Sequence, residues 1–339
     1  MSDFAIFVAL PEELGAALDV LKANGTFKGS KSDIDAKRTR FLYKLGNGHG
    51  KGREGTVYLI HGMGNTRSAA FVGSSVAQGS APAYALLIGI SGSLDHKSVK
   101  LGDVVISAHV KYYAPDKIKD CDNSVIKTLM PTDASKVCDP NFTDQVSQHR
   151  DGEKQLLDGR DTRFSGSFYR YVRQSINRDS EEFSIDKFMM RREEEFGEKC
   201  ARDFSLHSGS ILGSNMVLDS SEYLNYLLEK NDCWDMDFYH LNNPSEFNER
   251  CRWDNSKLLA VDMESFGFFS AFQDISRISQ GTHAVAVRGI SDLAAGKESQ
   301  DKSSKGDMRR LATQRAVQVG LDYLHEQFKA HSFKTPRLT

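Results

Sequence analysis

The chain has 339 residues, 39% of them hydrophobic, and its 44 basic and 46 acidic side chains leave a formal net charge of -2. This composition can build a sizeable globular core, and the balanced charge argues against non-specific nucleic-acid binding as the main role. No apolar run approaches the roughly 20 residues that span a bilayer, and the five scattered cysteines form no CxxC pair that would suggest zinc or a disulfide framework.

Asp3 stands where a leader would carry positive charge, so Phe4 to Ala9 reads as a first strand of a cytoplasmic protein. Pro11, Glu12 and Glu13 then open a helical pattern through Leu14, Leu18 and Leu21, since a proline and acids suit a helix N-terminus. Arg40 to Leu45 and Thr56 to His61 read as strands, followed by a glycine turn, GMGN, that runs into a small-residue helix. Ala85 to Ile90 is continuously apolar, as in a strand buried on both faces, and Val104 to Ser107 follows after Gly102-Asp103.

From about 111 to 205 the apolar periodicity weakens and charges of both signs crowd in. Here Arg160, Arg163, Arg170, Arg173 and Arg178 alternate with aromatic residues, and Asp186 to Lys199 reads as a charged surface helix. Regular patterning resumes with a strand at Ser208 to Leu212, a helix at Ser220 to Lys230 and a strand at Leu258 to Val261. Met263 to Phe272 reads as a helix, His283 to Val287 as a strand and Gly306 to Phe328 as a long amphipathic helix. Strands alternating with helices predict an α/β fold with a mostly parallel or mixed central sheet flanked by helices. We expect one domain over 1–330, with insertions at about 111–205 and 231–255, and a flexible tail over 331–339.

Three acids stand where a strand ends or a helix begins, which is where open α/β sheets place ligand chemistry: Glu13, Glu264 and Asp292. Singly, Glu13 also reads as a helix-start acid, Asp292 as an N-cap and Glu264 as a buried partner for Arg288. Together they suit glycosidic cleavage, which needs acid and base groups around an oxocarbenium-like transition state. The ten histidines show no ligand spacing, so no metal and no cofactor is expected; His61 and His283 read as strand residues.

Five stretches in order carry a more specific signal: ALPEEL (9–14), HGMGNTRSA (61–69), IGISGSLDHKSVKLGDVVIS (88–107), AVDMESFGF (260–268) and VRGISDLA (287–294). They resemble the purine nucleoside phosphorylase/uridine phosphorylase superfamily, and within it the 5′-methylthioadenosine/S-adenosylhomocysteine nucleosidases. The resemblance implies a nucleoside phosphorylase-type fold and release of a purine base from a nucleoside or nucleotide. It implies Asp292 as general acid at purine N7, Glu264 as acceptor for the ribose hydroxyls, and Glu13 as base for the attacking water. Met263 would pack under the sugar, and Ser91 with Gly92 would line the sugar side near that water. GSNMVLDS (213–220) aligns with the base-holding loop, so Met216 and Val217 would contact the purine, although Met216 reads equally well as core and Ser91 as a turn serine. Arg288 would lie close to the acids.

Family phosphorylases carry a Gly-Asp-Pro-x-Arg-like loop after strand one and an arginine on the strand before the Gly-Ser-x-Gly turn. Here LPEEL places Glu13 in that loop and the strand position is the apolar Leu87, so the expected nucleophile is water. Arg163, Arg170 and Arg173 read either as part of a solvated surface loop or oligomer contact, or as candidates for a phosphate, which would make an adenine nucleotide such as AMP or ATP the substrate of a bacterial defence effector. The same fold would also serve a phosphorylase or a non-catalytic nucleoside-binding module. The resemblance implies a homo-oligomer, a dimer or hexamer, with no nucleic-acid or membrane partner.

Overall fold

The computed structural model describes residues 3–46, 52–77, 81–117, 165–172, 203–215, 217, 224, 227–228, 257–278, 282–294 and 302–332. Contacts divide the chain into two compact units, one of 1–112 with 170–339 and one of 113–169.

Strand β1 (Phe4–Val8) feeds helix α1 (Pro11–Ala23) directly. Two elements that the sequence pattern does not predict follow, the short strand β2 (Gly25–Lys28) and the helix α2 (Lys31–Asp35). Next come β3 (Arg40–Leu45), β4 (Arg53–Leu59), α3 (Asn65–Ala77) and β5 (Tyr84–Ser93). The strand expected to reach His61 stops at Leu59, because His61 has a left-handed backbone with φ of 57° that no strand accommodates. Strand β6 (Val104–Lys117) runs well beyond the four residues expected of it, and β7 (Ser165–Val172) pairs with it. Then follow β8 (Leu206–Gly213), β9 (Leu258–Asp262), α4 (Ser265–Ile278), β10 (His283–Asp292) and α5 (Lys302–Ser332). The helix expected at 186–199 lies outside the described residues, as do most of that expected at 220–230 and the insertion at 231–255.

The sheet is mixed. β1 pairs in parallel with β4 and β5, β10 in parallel with β5, and β8 in parallel with β6 and β9. The pairs β2–β3, β3–β4, β5–β9 and β6–β10 are antiparallel. Because β10 pairs with both β5 and β6, the strands β5, β10, β6, β8 and β9 close into a ring, from which β1, β4, β3 and β2 extend as an open wing.

Alternation along the strands builds two apolar layers. Phe4, Ile6 and Val8 of β1 join Leu86 and Ile88 of β5, Leu14, Leu18 and Leu21 of α1, and Leu321 and Leu324 of α5. Phe7, Leu87, Ala286 and Ile290 pack instead with Val72 and Val76 of α3 and Phe268 and Phe272 of α4. The same parity sets Arg288 on the α4 side of β10, between Ala286 and Ile290. One polar side chain thus enters an otherwise apolar row, at the level where the parallel strands end.

Candidate active site

Glu13 is the third residue of α1, and two backbone N–H groups hold it. Leu10 N–H donates to Oε2 at 3.0 Å and Ile90 N–H donates to Oε1 at 3.0 Å, so the carboxylate fastens the helix start to the end of β5. Only 5% of Glu13 is exposed. Burial pushes its carboxyl above the usual range, against the pull of Arg288 and of the two N–H groups.

Arg288 is completely buried. Its Nε forms an ion pair with Asp262 Oδ2 at 2.6 Å, and Nη2 donates to Glu264 Oε2 at 3.3 Å. Burial works against the guanidinium charge, but Asp262, Glu264 and Glu13 outweigh it and raise the pKa. Glu264 sits in the turn between β9 and α4, before the helix rather than inside it. Burial raises its pKa to about 7, with Arg288 and the Gly64 N–H pulling down and Asp262 and Glu13 pushing up. Glu264 is therefore a buried partner for Arg288, as its spacing alone suggests, and it also stands among other acids.

Asp262 carries no expected role from the sequence, yet it organises this corner. Its Oδ1 accepts the N–H groups of Glu264 at 3.2 Å and Ser265 at 3.0 Å, and the Ser265 hydroxyl donates to Oδ2. It ties down the turn ahead of α4 and is also the counter-ion of Arg288. An aspartate whose side chain accepts the N–H two residues on is a familiar local turn device. Its second role depends on a strand 26 residues further on, which local pattern cannot reveal.

Gly89 shows how closely the two carboxylate-bearing elements approach. A methyl group on its Cα would stand 2.5 Å from Arg288 Nη1 and 2.8 Å from Glu13 Oε1, so both atoms converge beside Gly89 and leave no room for a side chain. Nη1 has no hydrogen-bond partner among the described residues, and neither has Ser91 Oγ, also buried. Asp292 ends β10 opposite Gly92 of β5, after an irregularity in the pairing. Ala294 N–H returns to Asp292 Oδ1 at 2.9 Å, made possible by the left-handed backbone of Ala294 (φ 58°), and Ser291 Oγ lies 3.1 Å from Oδ2. Gly92 lies three steps along the strand from Gly89, about 10 Å at the usual rise. Ser91 lies between the buried acid–arginine cluster and Asp292.

Met263 is half-buried beside Glu264. Val217 is 61% exposed, and Met216 lies outside the described residues. Arg163 and Arg173 also lie outside them; Arg170 falls on β7, with no side-chain placement described. Among the described residues no group of histidines, cysteines and acids is arranged to hold a metal ion.

A mixed sheet between helices, with buried acids and an arginine gathered near strand ends, defines an α/β protein of the kind that places ligand chemistry at the ends of its strands. The chain belongs to the phosphorylase superfamily, whose family model matches residues 3–325. No curated protein matches it in sequence. Its fold is similar to that of the 5′-methylthioadenosine/S-adenosylhomocysteine nucleosidase from Neisseria meningitidis in complex with methylthio-immucillin-A (TM-score 0.52, 15% identity, 96% of this chain and 99% of that one). It is also similar to the futalosine hydrolase of Helicobacter pylori (TM-score 0.50, 14% identity, 97% and 98% of the two chains).

Proposed function

We propose that this protein is a purine nucleosidase that hydrolyses the N-glycosidic bond of an adenine nucleoside or nucleotide, releasing free base and the ribosyl moiety. The observation that carries the reading is the convergence of Glu13 Oε1 and Arg288 Nη1 beside Gly89, with Nη1 lacking a hydrogen-bond partner among the described residues. A carboxylate with a raised pKa next to a fixed donor is suited to orient a water and take its proton.

In this reading Glu13 deprotonates the water as it attacks the anomeric carbon. Glu264 accepts hydrogen bonds from the ribose hydroxyls and, when ionised, stabilises the positive charge that develops on the sugar ring. Asp292 protonates N7 of the departing purine. Arg288 keeps Glu264 oriented and offers Nη1 to the water. Ser91 and Gly92 line the sugar, Met263 packs under it, and Met216 with Val217 meet the base.

Water is favoured over phosphate on electrostatic grounds. Asp262, Glu264 and Glu13 already surround the Arg288 guanidinium, and Leu87 is buried in the apolar layer. An incoming phosphate would meet three acids and share a cation they already neutralise. The structures similar in fold include a nucleosidase bound to methylthio-immucillin-A and a nucleosidase from Colwellia psychrerythraea in complex with adenine, which supports adenine as the base. The test is adenine release from methylthioadenosine, S-adenosylhomocysteine, AMP and ATP in phosphate-free buffer. Cleavage of AMP or ATP that falls when Arg163, Arg170 and Arg173 are replaced together would assign a nucleotide substrate.

A further inference from the structure

A chain of amide hydrogen bonds runs beside the buried acids and takes no part in the proton transfers above. Asn65 opens α3 directly after Gly64, whose N–H reaches Glu264. Its Oδ1 accepts the Gly267 N–H at 2.9 Å, and its Nδ2 donates to Asn215 Oδ1 at 3.1 Å. Asn215 Nδ2 in turn donates to Tyr112 Oη at 2.7 Å, and the Tyr112 ring stacks on Phe266 with centroids 4.5 Å apart.

A backbone N–H can only donate, so Gly267 fixes the direction of the whole series. The Asn65 oxygen must face Gly267, its amide nitrogen must face Asn215, and the Asn215 nitrogen must face Tyr112. Gly267 is required at this crossing, because a Cβ there would collide with the Asn65 carbonyl oxygen. Asn65 is buried, whereas Asn215 is exposed at the start of the segment that leaves β8. That segment is anchored at Ser214, whose N–H donates to the Asp262 carbonyl at 2.7 Å. Asn215 adds two side-chain hydrogen bonds, and Val217 is largely exposed.

We propose that the Asn65–Asn215 hydrogen bond is a clasp that positions the 213–217 segment for the nucleobase, making Asn215 a positioning residue for base recognition. The proposal rests on the reading of that segment as the base-binding loop. One residue, Asn65, then adjoins both the Gly64–Glu264 turn on the sugar side and the loop on the base side. Holding the loop before the ligand arrives removes part of the ordering cost of binding. The acids that break the bond are left where they are.

The test combines adenine titration calorimetry with steady-state kinetics on the full chain. Asn215→Ala removes both bonds from an exposed position. It should raise the adenine Kd and the substrate KM about tenfold, the cost of one ordering hydrogen bond, with kcat within about twofold and Tm unchanged. Asn215→Asp keeps an acceptor for Asn65 and loses only the donation to Tyr112, so its adenine affinity should stay near that of the wild type. Combining Asn65→Ala with Asn215→Ala should weaken binding no more than the worse single change, because both break the same link. Wild-type adenine affinity in Asn215→Ala, an equal loss in Asn215→Asp, or additive losses would each overturn the clasp while leaving the nucleosidase reading intact. A wild-type protein that neither binds nor releases adenine would overturn both.

Discussion

Arg288 Nε and Asp262 Oδ2 lie 2.6 Å apart with both side chains essentially removed from solvent. The pair joins the middle of β10 to the last residue of β9, and with it the two stretches that carry Asp292 and Glu264. Removing one member of a buried ion pair leaves the other charged and desolvated, at a cost of about 3–5 kcal/mol. Asp262→Ala, which also removes the bonds that hold the turn ahead of α4, should destabilise the protein by at least that amount in urea unfolding. A change below about 1 kcal/mol would show that the pair is not holding this corner.

Glu264 gives the fold a defined response to pH. Its folded pKa of about 7 lies above the ordinary glutamate value of 4.5, so the folded protein favours the protonated carboxyl. That contribution is fully present below about pH 4.5 and is lost as pH rises through about 7. The raised pKa of Glu13 acts in the same direction. The stability advantage of wild type over Glu264→Gln should therefore shrink between pH 5 and pH 8. Unfolding curves that keep a constant separation, or that diverge toward high pH, would contradict the assignment.

Gly89 and Gly15 offer a paired comparison. A methyl group at Gly89 meets Arg288 Nη1 and Glu13 Oε1, while one at Gly15, in the middle of α1, meets nothing within 4 Å. Gly89→Ala should displace the proposed water site and lower turnover by about 100-fold or more, as small misplacements of reacting groups do. Gly15→Ala should leave turnover unchanged and stabilise the helix by about 0.5–1 kcal/mol. Comparable activity in the two variants would remove the convergence beside Gly89 from the mechanism.

Glu13→Gln and Asp292→Asn preserve shape while deleting the base and the acid. Each should reduce kcat by at least about 100-fold, the lower range of a general acid–base contribution. Circular dichroism should show an intact fold in both. A variant that retains near wild-type kcat would release that residue from its role.

The fold is legible in the sequence wherever a long apolar run or a strong helix start marks it. β1, α1, β5 and α5 fall close to their expected places, because each buries a continuous or regularly spaced set of side chains. β2 escapes detection because only Phe27 of its four residues is buried, so it carries no alternating pattern. α2 spans five residues, too few for an apolar stripe, although its Ser30–Asp33 capping box is present in the sequence. At the site, the ordered motifs pick out Glu13, Glu264 and Arg288, which the fold gathers into one buried cluster. Asp262 and Asn65 escape notice because their partners, Arg288 and Asn215, come from distant strands and loops. Nothing local distinguishes a turn aspartate or a helix-start asparagine from a residue that ties two sides of a pocket together.

The central claim is that water, activated by Glu13, breaks the bond between base and sugar. The most direct measurement is chromatographic release of adenine from methylthioadenosine, S-adenosylhomocysteine, AMP and ATP by the wild-type protein and by Glu13→Gln, with and without added phosphate. The account predicts free adenine and free ribosyl product from at least one substrate without phosphate, at a rate phosphate does not increase, and almost none from Glu13→Gln. Release that requires phosphate and yields a ribosyl 1-phosphate, or no release from any of the four, would contradict it.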